Sequence, residues 1–334
     1  MNVDLLKCLK EYKVDNVSII NEPDNKLNKL VKQIYVINMK EDIHKRNYIR
    51  VLFQKYKINY NLIIVDRVDQ LVYKKLCKTE HISTAELGCC LSHMWCLMDI
   101  LKNNFENAII FEDDVILSKH FVEEFSKIYE KHPKTDLLLL GAHDFNFSKK
   151  HFKNVKNALY RPDTDVTKLY GAHANYYSLN GAKRMFYIRA TNLSFFDNEY
   201  NLIFNSLPNS YICYPNLAIA NMTESKINHE KNILSQNEIN YYTECFVNLK
   251  LNTYNLIYTN LLDLALLKAD DTVETFIERC LLQIFNDVAK IKIIKTRFVF
   301  NFFTINDLKN MLSNQDLSVM VPNNLSKKCI GELL

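Results

Sequence analysis

Three acidic residues in a row, Glu112, Asp113 and Asp114, interrupt the apolar stretch AIIFEDDVIL (108–117). Ala108, Ile109, Ile110 and Phe111 read as a buried strand, and Val115, Ile116 and Leu117 resume the apolar pattern. Two carboxylates about 5 Å apart repel by roughly 3 kcal/mol at an effective dielectric near 20, so a partly desolvated triplet needs solvent, a proton or a cation. Two readings stand on these ten residues. One is a solvated turn after a strand. The other is a divalent-cation site at the carboxyl end of a parallel strand, where open α/β sheets place their ligands. On an extended backbone Glu112 and Asp114, two apart, point the same way, and their oxygens suit hard ions such as Mn2+ and Mg2+.

The elements that must position this triplet are legible from periodicity. QIYVIN (33–38) and INYNLIIV (58–65) read as strands, and the helix between them, residues 41–56, buries Ile49, Leu52, Phe53 and Tyr56. The segment 83–104 predicts a helix opened by a Ser83–Glu86 capping box, with Leu87, Leu91, Met94, Trp95, Met98 and Leu101 as its buried stripe. His93 falls on a different face of it. A helix from Ser118 through Tyr129 and a strand DLLLLG (136–141) follow. This alternation argues for a mostly parallel sheet flanked by helices. After about residue 150 the pattern turns mixed, with strands in NALYRP, KLYGAHANYYSL and YICYP and a short helix in NGAKRMFYI. Residues 1–32 read as a polar, partly helical extension. The domain of interest spans 33–232, and 233–334 read as an all-helical C-terminal domain whose wide apolar stripes suit self-association or acceptor capture. KIKIIKTRFVF (290–300) suits an edge strand better than a polyanion or membrane contact.

Composition sets outer bounds. The chain has 334 residues, with 42 basic and 38 acidic side chains, a balance of +4, too small to argue for nucleic acid. No run approaches a membrane span, and the start, MNVDLLKCLKEYKVDN, has no apolar core of a secretory signal. The nine scattered cysteines read as reduced, mostly core thiols, so the expected compartment is cytoplasmic. Average usage of about 7% would give roughly 23 glycines, against 5 observed. Gly88, Gly141, Gly171, Gly181 and, at the tail, Gly331 are therefore expected to sit where the backbone needs them.

Read together, IYVINMKEDIHKRN (34–47), STAELGCCLSHMWCLMDIL (83–101), AIIFEDDV (108–115), DLLLLG (136–141), GAHANYYSLNGAKRM (171–185) and FFDNEY (195–200) resemble glycosyltransferase family 25. That family includes lipooligosaccharide galactosyltransferases and collagen hydroxylysine galactosyltransferases, and the skewed composition is also similar to that of giant-virus members acting on collagen-like proteins. Two departures are Met39-Lys40-Glu41, where a basic pair is usual, and the two phenylalanines before Asp197. The resemblance implies a GT-A-like, Rossmann-type mixed sheet, a UDP-hexose donor, Mn2+ or Mg2+, and inversion at the anomeric carbon. The acceptor it implies is a protein or glycan hydroxyl.

On that resemblance Asp114 is the expected direct metal ligand, with Glu112 or Asp113 on the donor ribose or on metal-bound water. Val36, Ile37, Asn38 and Arg46 are expected at the nucleotide, with Lys45 and Arg46 toward the diphosphate; the alternative for this basic pair is a solvated helix face. Ser92 and His93 have a donor-site role or serve the core. Asp197 is expected as the base that deprotonates the acceptor, with Asp144 second. Tyr176, Tyr177 and Phe196 form an acceptor platform or core. His229 is expected to close the metal shell from a late segment, the alternative being a solvated histidine beside Lys226 and Glu230, with His81, His143 and His173 as rivals for that place. The rival reading is a catalytically degenerate module that binds a glycan or partner through the same fold. A nuclease or phosphatase would need denser clustering of His and Asp.

Overall fold

A computed structural model describes residues 3–142 and 159–220, apart from short gaps at 23–24, 78–81, 119, 163, 165–169, 192–193, 195 and 214–215, together with the backbone of 152–156 and isolated positions between 268 and 282. Asp144, His81, His143, His229 and the segment expected to form a helical domain lie outside the described residues, apart from those isolated positions. The chain divides into two compact units, 1–115 with 121–219, and 116–120 with 220–334. The first carries the features below.

In chain order the elements are α1 (Val3–Glu11), β1 (Val14–Ile19), α2 (Lys26–Leu30), β2 (Gln33–Met39), α3 (Ile43–Lys55), β3 (Tyr60–Val65), α4 (Gln70–Leu76), α5 (Thr84–Asn103), β4 (Asn107–Glu112), β5 (Val115–Leu117), α6 (Phe121–Lys131) and β6 (Leu137–Leu139). They continue with β7 (Phe152–Lys156), β8 (Leu159–Pro162), β9 (Ala174–Ser178), α7 (Leu179–Thr191), a 3-10 turn (Phe196–Glu199), α8 (Tyr200–Ser206), β10 (Ser210–Cys213) and β11 (Ala218–Ala220). Nine strands form one sheet in the order β1-β3-β2-β4-β9-β6-β10-β8-β7. β3, β2 and β4 run parallel. β9 is antiparallel to both β4 and β6, β10 is parallel to β6, and β8 and β7 finish the sheet antiparallel. The α/β architecture is the expected one. The parallel portion is limited to the three strands that precede the acidic turn and to the β6–β10 pair.

Strand alternation fixes what covers each face. On one side Tyr35, Ile37, Ala108, Ile110 and Tyr177 join a core with Leu87, Leu91, Met94 and Leu97 of α5 and Met185 of α7. On the other, Phe111 stands edge-on to Phe53 of α3 at 5.3 Å and to Phe121 of α6 at 5.8 Å, and Tyr176 meets Phe125 of α6 at 5.8 Å. Tyr176 and Tyr177 are thus core residues on opposite faces. α5 begins at the expected capping box, but its buried face is broader than a single stripe: Cys90, Ser92, His93 and Cys96 are buried while Trp95, Met98 and Leu101 are only partly so. Sandwiched between the sheet and α7, this helix needs more than one apolar row.

β1 was not expected. Its sequence VDNVSI is polar and mostly exposed, yet it pairs antiparallel along β3 from Val14↔Val65 to Ile19↔Tyr60. Leu5 and Leu9 of α1 are buried in the same core as α5. An edge strand needs only backbone partners, so little in its side chains announces it.

Three glycines answer specific backbone demands, among them Gly181, where a Cβ would lie 2.0 Å from the Asp136 carbonyl oxygen. Gly171 has φ 117°, in the region that favours glycine. A Cβ on Gly141 would lie 1.9 Å from the Ala218 carbonyl oxygen and 2.5 Å from His173 Nε2. Gly88 differs from expectation: a Cβ there would meet only Val68 Cγ2, at an ordinary 3.5 Å.

A candidate active site at the ends of the parallel strands

β4 stops at Glu112, and Asp113-Asp114 form a turn before Val115. The triplet is therefore not an extended strand, and its members face two different sets of partners. Glu112 turns toward α5. Its Oε1 lies 3.0 Å from His93 Nε2 and accepts a hydrogen bond from the Cys89 thiol at 3.4 Å. Its backbone N–H donates to the His173 carbonyl at 2.9 Å. Asp113 and Asp114 turn toward α3, where Lys45 Nζ lies 3.4 Å from Asp113 Oδ1 and 3.8 Å from Asp114 Oδ2.

The end of β2 braces the acidic turn. Asn38, buried in the strand next to β4, donates from Nδ2 to Asp113 Oδ2 at 2.7 Å, and its Oδ1 accepts from Arg46 Nε at 2.8 Å. Arg46 also donates to the Lys40 carbonyl at 2.8 Å. Arg46 thus fixes the loop after β2, and Lys45 is the side chain that meets the carboxylates. Val36 and Ile37 are strand residues with little exposure; Val36 is fully buried, and Ile37 pairs in register with Glu112.

α5 supplies the opposite wall. Cys89 and His93 are one helical turn apart, so both project from one face. The His93 ring is fully buried and stacks on Phe196 at 4.3 Å with planes 22° apart. Ser92, one residue away, faces elsewhere: its hydroxyl donates back to the Gly88 carbonyl at 2.7 Å and meets Tyr12 Oη at 3.3 Å, a helix-internal role. Asp197 arrives on the same 3-10 turn as Phe196, and its Oδ2 accepts from the Gly171 N–H at 2.8 Å.

The electrostatics separate the acidic groups. Burial pushes Glu112 upward, but the hydrogen bond and charge of His93, helped by His173 and the Cys89 thiol, outweigh it and bring the carboxyl down to about 2. Burial raises Asp113 above the usual range against the opposing pull of Lys45 and Asn38. Burial, then the charges of Glu112 and Asp197, hold the Cys89 thiol well above its ordinary value. Asp197 shares its 3-10 turn with Phe196, whose ring stacks on His93, the partner of Glu112.

Of the expected site residues, Glu112, His93 and Asp197 converge on one side of the acidic turn, and Asn38, Arg46, Asp113 and Asp114 on the other, with Lys45. Cys89 belongs with the first group although it reads in the sequence as a core thiol. Its signal was the four-residue spacing to His93. Potential metal donors fall in the same two sets: the oxygens of Asp113 and Asp114, and the mixed group Cys89, His93 and Glu112, whose donor atoms lie within 4.8 Å of one another.

Comparison with known proteins bears on these residues directly. Residues 31–188 match the family model described as Glycosyltransferase family 25 (LPS biosynthesis protein). A solved structure, the crystal structure of a glycosyltransferase involved in the glycosylation of the major capsid of PBCV-1, matches at 13% identity and a TM-score of 0.33, over 60% of this chain and 98% of that one. No curated protein matches the chain. The acidic turn, its Asn38–Arg46 brace and the Cys89–His93 face all lie within the matched stretch, so the part of the chain that builds this wall of the site is similar to glycosyltransferase family 25, and the protein is a glycosyltransferase.

Proposed function

We propose that the protein transfers a hexose, galactose or glucose, from a UDP-sugar to a hydroxyl acceptor with inversion. The acceptor class is hydroxylysine of a collagen-like protein or a growing glycan. The observation that carries this reading is the division of the strand-end triplet, with carboxylates beside a lysine on one side and a separate carboxylate, Asp197, near the other. Transfer breaks the bond from the anomeric carbon to the diphosphate oxygen while a new bond forms to the acceptor oxygen on the opposite face. The acceptor proton must leave, and the diphosphate gains negative charge.

Asp197 suits the first need. Its Oδ2 is anchored by the Gly171 N–H, which fixes the carboxylate without neutralising it, so it can accept the acceptor's proton. Lys45, partly exposed beside Asp113 and Asp114, suits the second by meeting the leaving diphosphate. Asn38 and Arg46 hold the loop after β2 in position for the nucleotide. The acidic turn also fits a hard divalent ion, since it offers carboxylate oxygens and already gathers one cation, Lys45, against them. Asp114 would be the direct ligand, with His229 closing the shell. Bound there, Mn2+ or Mg2+ would stabilise charge on the leaving diphosphate. Self-association through residues 233–334 belongs to the same proposal, and a monomeric mass for the full chain by light scattering would count against it.

The test is a screen of sugar nucleotides with Mn2+, read as released UDP, alongside the variant Asp114→Asn. The expected result is turnover with a UDP-hexose in the native chain and loss of nearly all metal-dependent turnover in a variant that melts at the native temperature. Undiminished turnover in Asp114→Asn would remove the metal assignment. Absence of turnover with every donor would favour a binding module.

A further inference from the structure

The mixed group on the α5 side has a chemistry that sugar transfer from a hard-ion complex does not use. Cys89 and His93 share one helix face, and Glu112 meets both at the end of β4. His93 is fully buried, while the Glu112 side chain is 28% exposed and Cys89 partly so. His93 is thus the innermost of the three, and the thiol and carboxylate reach toward solvent.

We propose that Cys89, His93 and Glu112 form a binding site for a zinc-class ion, separate from the oxygen donors of Asp113 and Asp114. Spacing is the first argument. Bonds of about 2.0–2.3 Å around a tetrahedral ion put neighbouring ligand atoms roughly 3.3–3.8 Å apart. The Glu112 oxygen already lies 3.0 Å from the imidazole nitrogen and 3.4 Å from the sulfur, and all three atoms fall within 4.8 Å. An ion needs only side-chain rotation of Cys89 and Glu112.

Ligand type is the second argument. A thiolate with an imidazole selects zinc-like ions, whereas Mn2+ and Mg2+ favour oxygen. Ring orientation is the third. The Phe196 ring stacks on His93 at 4.3 Å and holds it with Nε2 toward Glu112. The thiol loses its proton to solvent on binding, and nothing is oxidised or reduced. Three protein donors leave one tetrahedral position open to water or an anionic oxygen.

Metal-free full-length protein titrated with Co2+, a coloured stand-in for Zn2+, tests the site. The expected result is a near-ultraviolet thiolate-to-cobalt band with strong visible bands of a tetrahedral ion, abolished by Zn2+ and untouched by Mn2+ or Mg2+. Cys89→Ser should lose the near-ultraviolet band, His93→Gln should bind Co2+ at least about tenfold more weakly, and Cys77→Ser should behave as the native chain. No thiolate band in the native protein, or a band that persists in Cys89→Ser, overturns the proposal. A second measurement needs no variant: Zn2+ should slow alkylation of Cys89 relative to Cys77 by about tenfold or more in the native protein, and equal labelling with and without Zn2+ overturns the site. None of these readouts depends on sugar transfer, so their failure is distinct from a failure of the transferase reading.

Discussion

At the scale of single residues, Glu112 is held by its neighbours more than by its place in an acidic run. Its carboxyl is depressed to about 2 because His93 outweighs the burial that pushes it up. For a carboxyl whose folded value is lowered, the stability contributed is complete above the unfolded value, near 4.5 here, and drains as pH falls toward the folded one. Glu112→Gln removes that contribution. The melting temperatures of the metal-free native and variant chains should therefore differ most near neutral pH and converge below about pH 4. Parallel curves across the whole range would mean that the ionised carboxylate does not stabilise the fold. The triplet itself was legible in the sequence, but its partition was not. The inference that Glu112 and Asp114 point together assumed an extended backbone, and the turn at Asp113-Asp114 removes that premise. Cys89 was hidden for a related reason: a thiol in an apolar helix is usually packing, and only the arrival of β4 beside α5 makes it a neighbour of Glu112.

At the scale of elements, the same core that shapes the site makes two glycines behave oppositely. Gly141 follows β6 where the chain passes against Ala218 and His173, and His173 in turn accepts the backbone hydrogen bond of Glu112. Gly141→Ala forces a methyl into backbone and should cost about 1–3 kcal/mol or more. Gly88→Ala, in the first turns of α5 with space around it, should be neutral or stabilise by up to about 1 kcal/mol. Chemical denaturation of both variants checks the pair, and similar effects from the two would refute the distinction. The scarcity of glycine pointed to both positions alike, because composition registers that a glycine is present and not what surrounds it. Elements with a strong internal signal were readable in advance: α5 with its capping box, and β2 and β4 with their apolar runs. β1 was not, since its polar residues are set by exposure at a sheet edge and its pairing with β3 runs along the backbone, joined by a side-chain bond from Asn61 Nδ2 to Asn16 Oδ1.

Across the whole molecule, the sheet changes character beside β4. Parallel strands end there, and β9 enters antiparallel between β4 and β6. That one insertion carries Gly171 and, through α7, the 3-10 turn with Phe196 and Asp197 to the side of the acidic turn. Periodicity predicts the separate pieces, but no local pattern predicts that residues so far apart in sequence come together. The placement has a functional consequence. Asp197 sits on the turn whose Phe196 stacks on His93 of α5, on the Glu112 side of the acidic turn, so it should serve the acceptor and not the nucleotide. Asp197→Asn keeps an oxygen that can still accept from the Gly171 N–H, and the melting temperature should hardly move. What the amide cannot do is take a proton. Transfer to an acceptor should therefore fall by about 10²–10⁴-fold, the contribution of a positioned base, while the dissociation constant for UDP, measured by calorimetry with Mn2+ present, stays at the native value. A loss of UDP affinity in step with the rate would assign Asp197 to the donor and require the proton to leave through another group.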